Sequence, residues 1–216
     1  MKKDEYCYMC GMQATSDEHV PARCFFPKDE LYRKQLITVP SCFKHNEDTS
    51  LDDEYVRNAI CAEYSGNHIA FVQFKNKAMK SLARNPMMLF PYKEFQSPKG
   101  PTAAFTIDRN RFDRVLRKIA YALFYDLYKK PWNRRLMIIS RQLLYSDFSP
   151  DAVVGIIADL ESKLPEVTKQ GQNPLVFRST ILKSGDRDED SIIRMVFYEG
   201  FTIWAMTEIG SSNYLL

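Results

Sequence analysis

Two pairs of metal-ligand residues, Cys7-Tyr8-Met9-Cys10 and Cys42-Phe43-Lys44-His45, constrain this chain more than any other feature. Ligands separated by two residues project from one tight turn, and two such pairs supply the four donors that tetrahedral zinc takes. Gly11 directly after the first pair permits the positive φ that such turns use. A site made of Cys7, Cys10, Cys42 and His45 leaves no coordination position for water, which makes it structural rather than catalytic. A redox pair, or two small buried hydrophobes, is the competing reading of Cys7 and Cys10. A redox pair sits at a strand-to-helix junction, however, and no helical pattern follows Cys10. The cysteines number five, with Cys24 and Cys61 outside the pairs, and a reducing compartment leaves their thiols free to bind metal.

The rest of the chain has the material for a core. Of 216 residues, 45% are apolar and 13% aromatic, enough to fold without disulfide staples. The net charge of +3, from 30 basic and 27 acidic side chains, is too small for nucleic-acid binding by overall field, so DNA contact must rest on local patches. No apolar stretch suited to a signal peptide or membrane span follows Met1, and the expected location is cytoplasmic.

Periodicity divides the chain further. The first 50 residues are turn-rich, and a helix is predicted over Leu51–Tyr64, with Ser50 as N-cap and Asp52, Asp53 and Glu54 as solvated first-turn acids. A second helix is expected over His68–Arg84. Pro86, Pro91, Pro98 and Pro101, with Gly100, then read as a linker. Apolar residues at three-and-four spacing predict a strong amphipathic helix over Arg111–Lys130. Leu136–Tyr145 is ambiguous, Asp151–Leu164 reads as helix, and Leu175–Leu182 and Ile192–Met206 read as strands joined by the charged turn Gly185–Asp190. The expected class is α+β: a zinc module over 1–64, a helix and linker over 65–104, and a mixed helix and strand region of unassigned role over 105–216.

Between the ligand pairs lies Glu18-His19-Val20-Pro21, in a segment that reads as a strand end leading into a turn. A lone histidine there suits a structural role or a spare zinc ligand. Glu18 beside it, and Asn46 directly after His45, add what one-metal phosphodiester hydrolysis needs: an imidazole to deprotonate water and hard oxygen ligands for a magnesium-type ion.

Taken together, CYMC, EHVP, CFKH and Asn46 resemble the HNH endonucleases of the ββα-metal superfamily, in the version with paired zinc ligands, over about residues 5–60. The resemblance implies that His19 is the general base, and that Glu18 and Asn46 hold a catalytic Mg2+ or Mn2+ at the scissile phosphate of DNA. Three departures stand out. The Asn that orients the base histidine in the family has no counterpart between His19 and Cys42, where Gln35 is the nearest amide and a backbone carbonyl at Ile37 or Thr38 is the alternative. His45 replaces a cysteine, and Glu18 stands where aspartate is commoner. Asp48 is a further acid that could assist the metal. Arg23 and Arg57 are candidate phosphate contacts, as is the basic run from Arg109 through Arg141 with Trp132 within it. The competing function is a catalytically inactive, zinc-stabilised DNA-binding or protein-interaction module. Residues 105–216 would then supply affinity, a homodimer interface or a surface for a regulatory protein partner.

Overall fold

The computed structural model describes residues 5–63, 65–84, 92–97, 100–143, 150–163 and 173–208, with the backbone alone at 82, 92–97, 100–105 and 150. The architecture is α+β. Strands β1 (Ser16–Val20) and β2 (Ile37–Ser41) pair antiparallel, Glu18 opposite Val39 and His19 opposite Thr38, and helix α1 (Ser50–Ala62) follows. The N-terminal order is thus β-β-α. Helices α2 (His68–Gln73) and α3 (Met79–Arg84) are joined by one π-helical stretch, Phe74–Ala78.

Beyond them the expected linker is in part a hairpin, β3 (Tyr92–Ser97) with β4 (Gly100–Phe105), Pro101 lying opposite Gln96. Proline there removes one ladder donor without ending the strand. Pro86, Pro91 and Pro98 lie outside the described residues. Helix α4 (Arg109–Tyr128) begins at Asp108, whose carboxylate accepts the Arg111 N–H, and stops at Lys129, which adopts a left-handed φ of 55° just before Pro131. Strand β5 (Leu136–Ile139) resolves the ambiguous segment, and α5 (Pro150–Ser162) follows. A four-stranded antiparallel sheet of order β5-β8-β7-β6 closes the fold, with β6 (Phe177–Lys183), β7 (Ser191–Phe197) and β8 (Phe201–Thr207). The predicted Ile192–Met206 strand is therefore two strands turning at Tyr198 and Glu199, both at positive φ.

The core does not respect the expected boundaries at 64 and 104. One apolar cluster joins Cys7, Val20, Phe25 and Val39 of the N-terminal region, Val56 and Ile60 of α1, Leu116, Ile119 and Phe124 of α4, and Met195, Phe197 and Ile203 of the sheet. Polar contacts cross the same boundaries. The Tyr198 hydroxyl donates to the Phe25 carbonyl at 2.6 Å, and a Cβ on Gly200 would clash with the Ser65 carbonyl oxygen. Asp52 and Asp53 are not solvated as expected. Asp52 accepts from Arg111 and Arg114, each at 2.7 Å, and Asp53 accepts from Lys118 at 2.8 Å, so the first turn of α1 docks onto α4. Ser50 is the first helical residue rather than the cap. Thr49 holds the cap position, but its hydroxyl is turned back to the Asn46 carbonyl at 2.9 Å.

A fragment ending at residue 104 loses α4 and uncovers the apolar face of α1. We expect it to lack a cooperative unfolding transition even with zinc added, and a dispersed amide NMR spectrum from 1–104 would contradict the shared core.

Candidate functional site

The first ligand pair sits in a turn closed by Cys7 N–H to Met12 O at 2.7 Å and Gly11 N–H to Cys7 O at 3.0 Å, with Gly11 at φ 70°. The Tyr8 N–H donates to Pro40 O at 2.9 Å and ties this turn to β2. The second pair leaves the end of β2 in a single 3-10 turn, Phe43–His45. Together they bring four ligand atoms within 4.8 Å of one another. Cys10 and Cys42 Sγ are 3.8 Å apart, Cys7 Sγ lies 3.5 Å from His45 Nδ1, and Cys42 Sγ lies 3.3 Å from it. Tetrahedral zinc spaces two sulfurs ~3.8 Å apart, and sulfur from nitrogen ~3.5 Å, given its bond lengths. The cluster can hold a metal ion, and its edges suit that geometry.

Protonation favours that use at His45 and Cys7 and opposes it at Cys10. Burial, with the Lys44 and Lys118 charges behind it, holds His45 below the ordinary imidazole value, which leaves Nδ1 as a donor of electrons rather than of a proton. Burial pushes the Cys10 thiol up to about 11. Burial also raises Cys7, but backbone N–H groups of Met9, Cys10 and Cys42 together outweigh it and hold that thiol below its usual value.

The Glu18-His19 dipeptide divides across β1. Alternate residues of a strand face opposite sides, and here Ser16, Glu18 and Val20 face inward while Asp17 and His19 face outward. Glu18 is only 4% exposed and meets the Lys118 ammonium at 2.9 Å. That ammonium also donates to Asp53 Oδ2 at 2.8 Å and Thr49 Oγ1 at 2.7 Å, which uses all three of its protons. Glu18 Oε2 and Asp53 Oδ1 are buried without a hydrogen bond. The expectation that Glu18 binds the catalytic ion beside His19 is therefore corrected: its carboxylate lies on the other face and is committed to Lys118. Two carboxylates sharing one ammonium leave a buried negative charge, and burial raises Asp53 to about 6. Tyr8 is held well above the phenol range by burial and then by the Glu18 charge.

His19 is half-buried, and its ring makes no hydrogen bond among the described residues. Burial, then the positive charge of Arg23, and further Arg33, hold it below the ordinary imidazole value against the opposing pull of Asp17. The ring is neutral at physiological pH and can accept a proton. Asn46 follows the last cluster ligand, and its amide donates to Ser16 Oγ at 2.9 Å and to the Asp17 carbonyl at 3.5 Å. That orientation leaves Asn46 Oδ1 unengaged among the described residues. Asp17 and His19 share the outward face of β1, the exposed Arg23 follows just beyond the strand, and the Asn46 side chain is tied to the start of β1 through Ser16 and the Asp17 carbonyl.

Other expected residues lie elsewhere. Gln35 is exposed at φ 51°, past the end of the hairpin register, and makes no hydrogen bond to His19. Arg57 is buried in α1, donating to Asn58 Oδ1 at 2.6 and 3.0 Å and pairing with Glu54 at 3.2 Å, so it offers nothing to a phosphate. Asp48 is exposed. The basic run is largely ion-paired within the chain, Arg109 with Asp113, Arg111 and Arg114 with Asp52, Lys129 with Asp126, Lys130 with Asp188 and Glu189, Arg135 with Glu208 and Arg141 with Glu161, although Arg114, Lys129, Arg135 and Arg141 stay exposed and Lys130 partly so. Trp132 is buried and donates to Glu189 O. Two residues escaped the sequence reading. Asp17 shares His19's face by the two-residue period of a strand. Lys118 sits three residues after Val115 and four before Ala122, both buried, and a lysine inside that apolar stripe was the available signal.

No helix among the described residues is long and apolar enough to cross a membrane. Comparison with protein-family models, curated proteins and solved structures gives no match.

Replacing Cys42 by serine should remove bound metal and lower the unfolding midpoint, whereas Cys61→Ser, away from the cluster, should keep the metal; elemental analysis of both purified variants decides. A proton stays on folded Asp53 to higher pH than on the unfolded chain, so this group stabilises the fold fully below about 3.8 and the contribution is lost as pH rises through about 6. Urea unfolding of wild type and Asp53→Asn across pH 4 to 7 should therefore diverge, and parallel curves would contradict the buried charge.

Proposed function

We propose that the chain is a metal-dependent endonuclease of the HNH type acting on DNA, with zinc held by Cys7, Cys10, Cys42 and His45 as a structural staple and His19 as general base. One observation carries the reading: a neutral imidazole with no hydrogen-bond partner among the described residues stands on the outward face of a β-β-α unit, in the field of Arg23 and Asp17 and next to the strand start to which Asn46 is tied.

In this reading His19 takes the proton of an attacking water, and Arg23 draws the phosphate to the same face. Asp17 and the Oδ1 of Asn46 are the hard oxygens that would hold Mg2+ or Mn2+, which supplies charge stabilisation at the phosphate when bound. Glu18 is absent from this set and acts from behind the strand. The Asn46 amide protons, bound to Ser16 and the Asp17 carbonyl, hold its side chain against β1 and leave its oxygen unengaged among the described residues.

An inactive DNA-binding or protein-interaction module is favoured by one fact, that Gln35 leaves the His19 ring without an orienting partner. Incubating supercoiled plasmid with Mg2+ or Mn2+ separates the two. We expect nicking or linearisation by wild type, abolished by EDTA, reduced about 100-fold or more in His19→Ala, and reduced in Asp17→Asn. If wild type and His19→Ala both leave the plasmid intact, while zinc is bound and the fold retained, the module reading holds instead.

A further inference from the structure

We propose that Lys118 of α4 is a positioning residue for the His19 and Asn46 site, so that the region beyond residue 104 is a working part of that site and not an appendage. The inference rests on the endonuclease reading and extends it to a residue some hundred positions from the hairpin.

Lys118 is 3% exposed, and its single ammonium reaches three separate pieces of the site. Through Glu18 Oε1 at 2.9 Å it holds the inner side of β1, one residue before His19. Through Asp53 at 2.8 Å it holds the first turn of α1. Through Thr49 Oγ1 at 2.7 Å it holds the turn between, and the Thr49 hydroxyl passes its own proton to the Asn46 carbonyl at 2.9 Å. The same hydroxyl lies 3.4 Å from the carbonyl of His45, a ligand of the metal cluster. The donor count closes this chain of contacts: three ammonium protons go to three acceptors, and the one Thr49 proton goes on to the backbone that carries Asn46.

The metal cluster cannot do this work alone. It pins the two turns before β1 and after β2, at Cys7, Cys10, Cys42 and His45, but none of its ligands lies on β1. The Asn46 amide ties its side chain to Ser16 and the Asp17 carbonyl, and what those two bonds leave open is how β1 as a whole sits against the start of α1. That interval is the one the ammonium spans, between Glu18 and Asp53. A catalytic base and a metal ligand displaced by about 1 Å can lose a hundredfold in rate, and no other charged group among the described residues bridges both elements.

Removing the lysine alone leaves two buried carboxylates unpaired and unfolds the protein as readily as it misplaces the site. The test therefore uses the neutral triple variant Glu18→Gln/Asp53→Asn/Lys118→Met, and separately Thr49→Val, which cuts only the path to Asn46. Plasmid cleavage with Mn2+ gives kcat and KM, and NMR follows the His19 imidazole and the Asn46 side-chain amide. We expect folded proteins with wild-type zinc content, a kcat about 10-fold or more below wild type in the triple variant and about 3-fold or more in Thr49→Val, KM within twofold, and displaced His19 and Asn46 signals. Folded variants with unchanged kcat and unchanged signals would overturn the proposal. If the triple variant does not fold, Thr49→Val decides by the same two readouts. If wild type cleaves no phosphodiester, the endonuclease reading fails, and the NMR displacement alone confirms or overturns the positioning role.

Discussion

The Lys118 ammonium, buried between Glu18 and Asp53, is the interaction on which the arrangement of this molecule turns. A strand can present either face to a core, and apolar content alone does not decide the matter for a segment as polar as Ser16-Asp17-Glu18-His19-Val20. Pairing decides it. Once Glu18 meets a cation inside, Val20 follows it into the core and Asp17 and His19 are turned to the outer face. A buried ion pair of this kind adds little net stability over apolar residues of equal volume, because desolvation offsets most of the attraction. Its effect lies in specificity: the inverted strand would bury an imidazole and take one of the two carboxylates away from Lys118.

The two binding elements of the N-terminal region divide the task between them. The Cys7, Cys10, Cys42 and His45 cluster gathers two turns distant in sequence but cannot set how β1 lies against α1. Helix α4 does that from outside the region, by Lys118 and by the Arg111 and Arg114 pairs to Asp52. This division accounts for one apolar cluster, among the described residues, running from Cys7 to Ala205.

Much of this was legible in the sequence, and the illegible parts have physical causes. Ligand spacing is local, so the metal cluster could be read directly, as could α4 from its apolar period and the strand character of Leu175–Leu182 and Ile192–Met206 from their β-branched residues, but not the turn at Tyr198 that divides the latter into two strands. The facing of Glu18 depends on a residue 100 positions away, and adjacency in sequence suggested the opposite, that Glu18 and His19 act together. Asp17 was hidden by the same adjacency. The arginines of α4 read as a phosphate-binding stripe because nothing local shows that Asp52 of α1 packs against Arg111 and Arg114. The β3-β4 hairpin was masked by prolines that mark a loop as readily as an edge strand. Gln35 was chosen for its chemistry, and its left-handed backbone past the end of the hairpin places it elsewhere.

Two metal positions are at stake, the four-ligand cluster and the proposed one on the outer face of β1. A crystal grown with Mn2+, with diffraction recorded at the zinc and manganese absorption edges, tests both directly. The account predicts a zinc peak enclosed by Cys7, Cys10, Cys42 and His45, and a manganese peak on the outer face between Asp17 and Asn46, beside His19. Manganese seated against Glu18, or a zinc peak away from the four ligands, would contradict it.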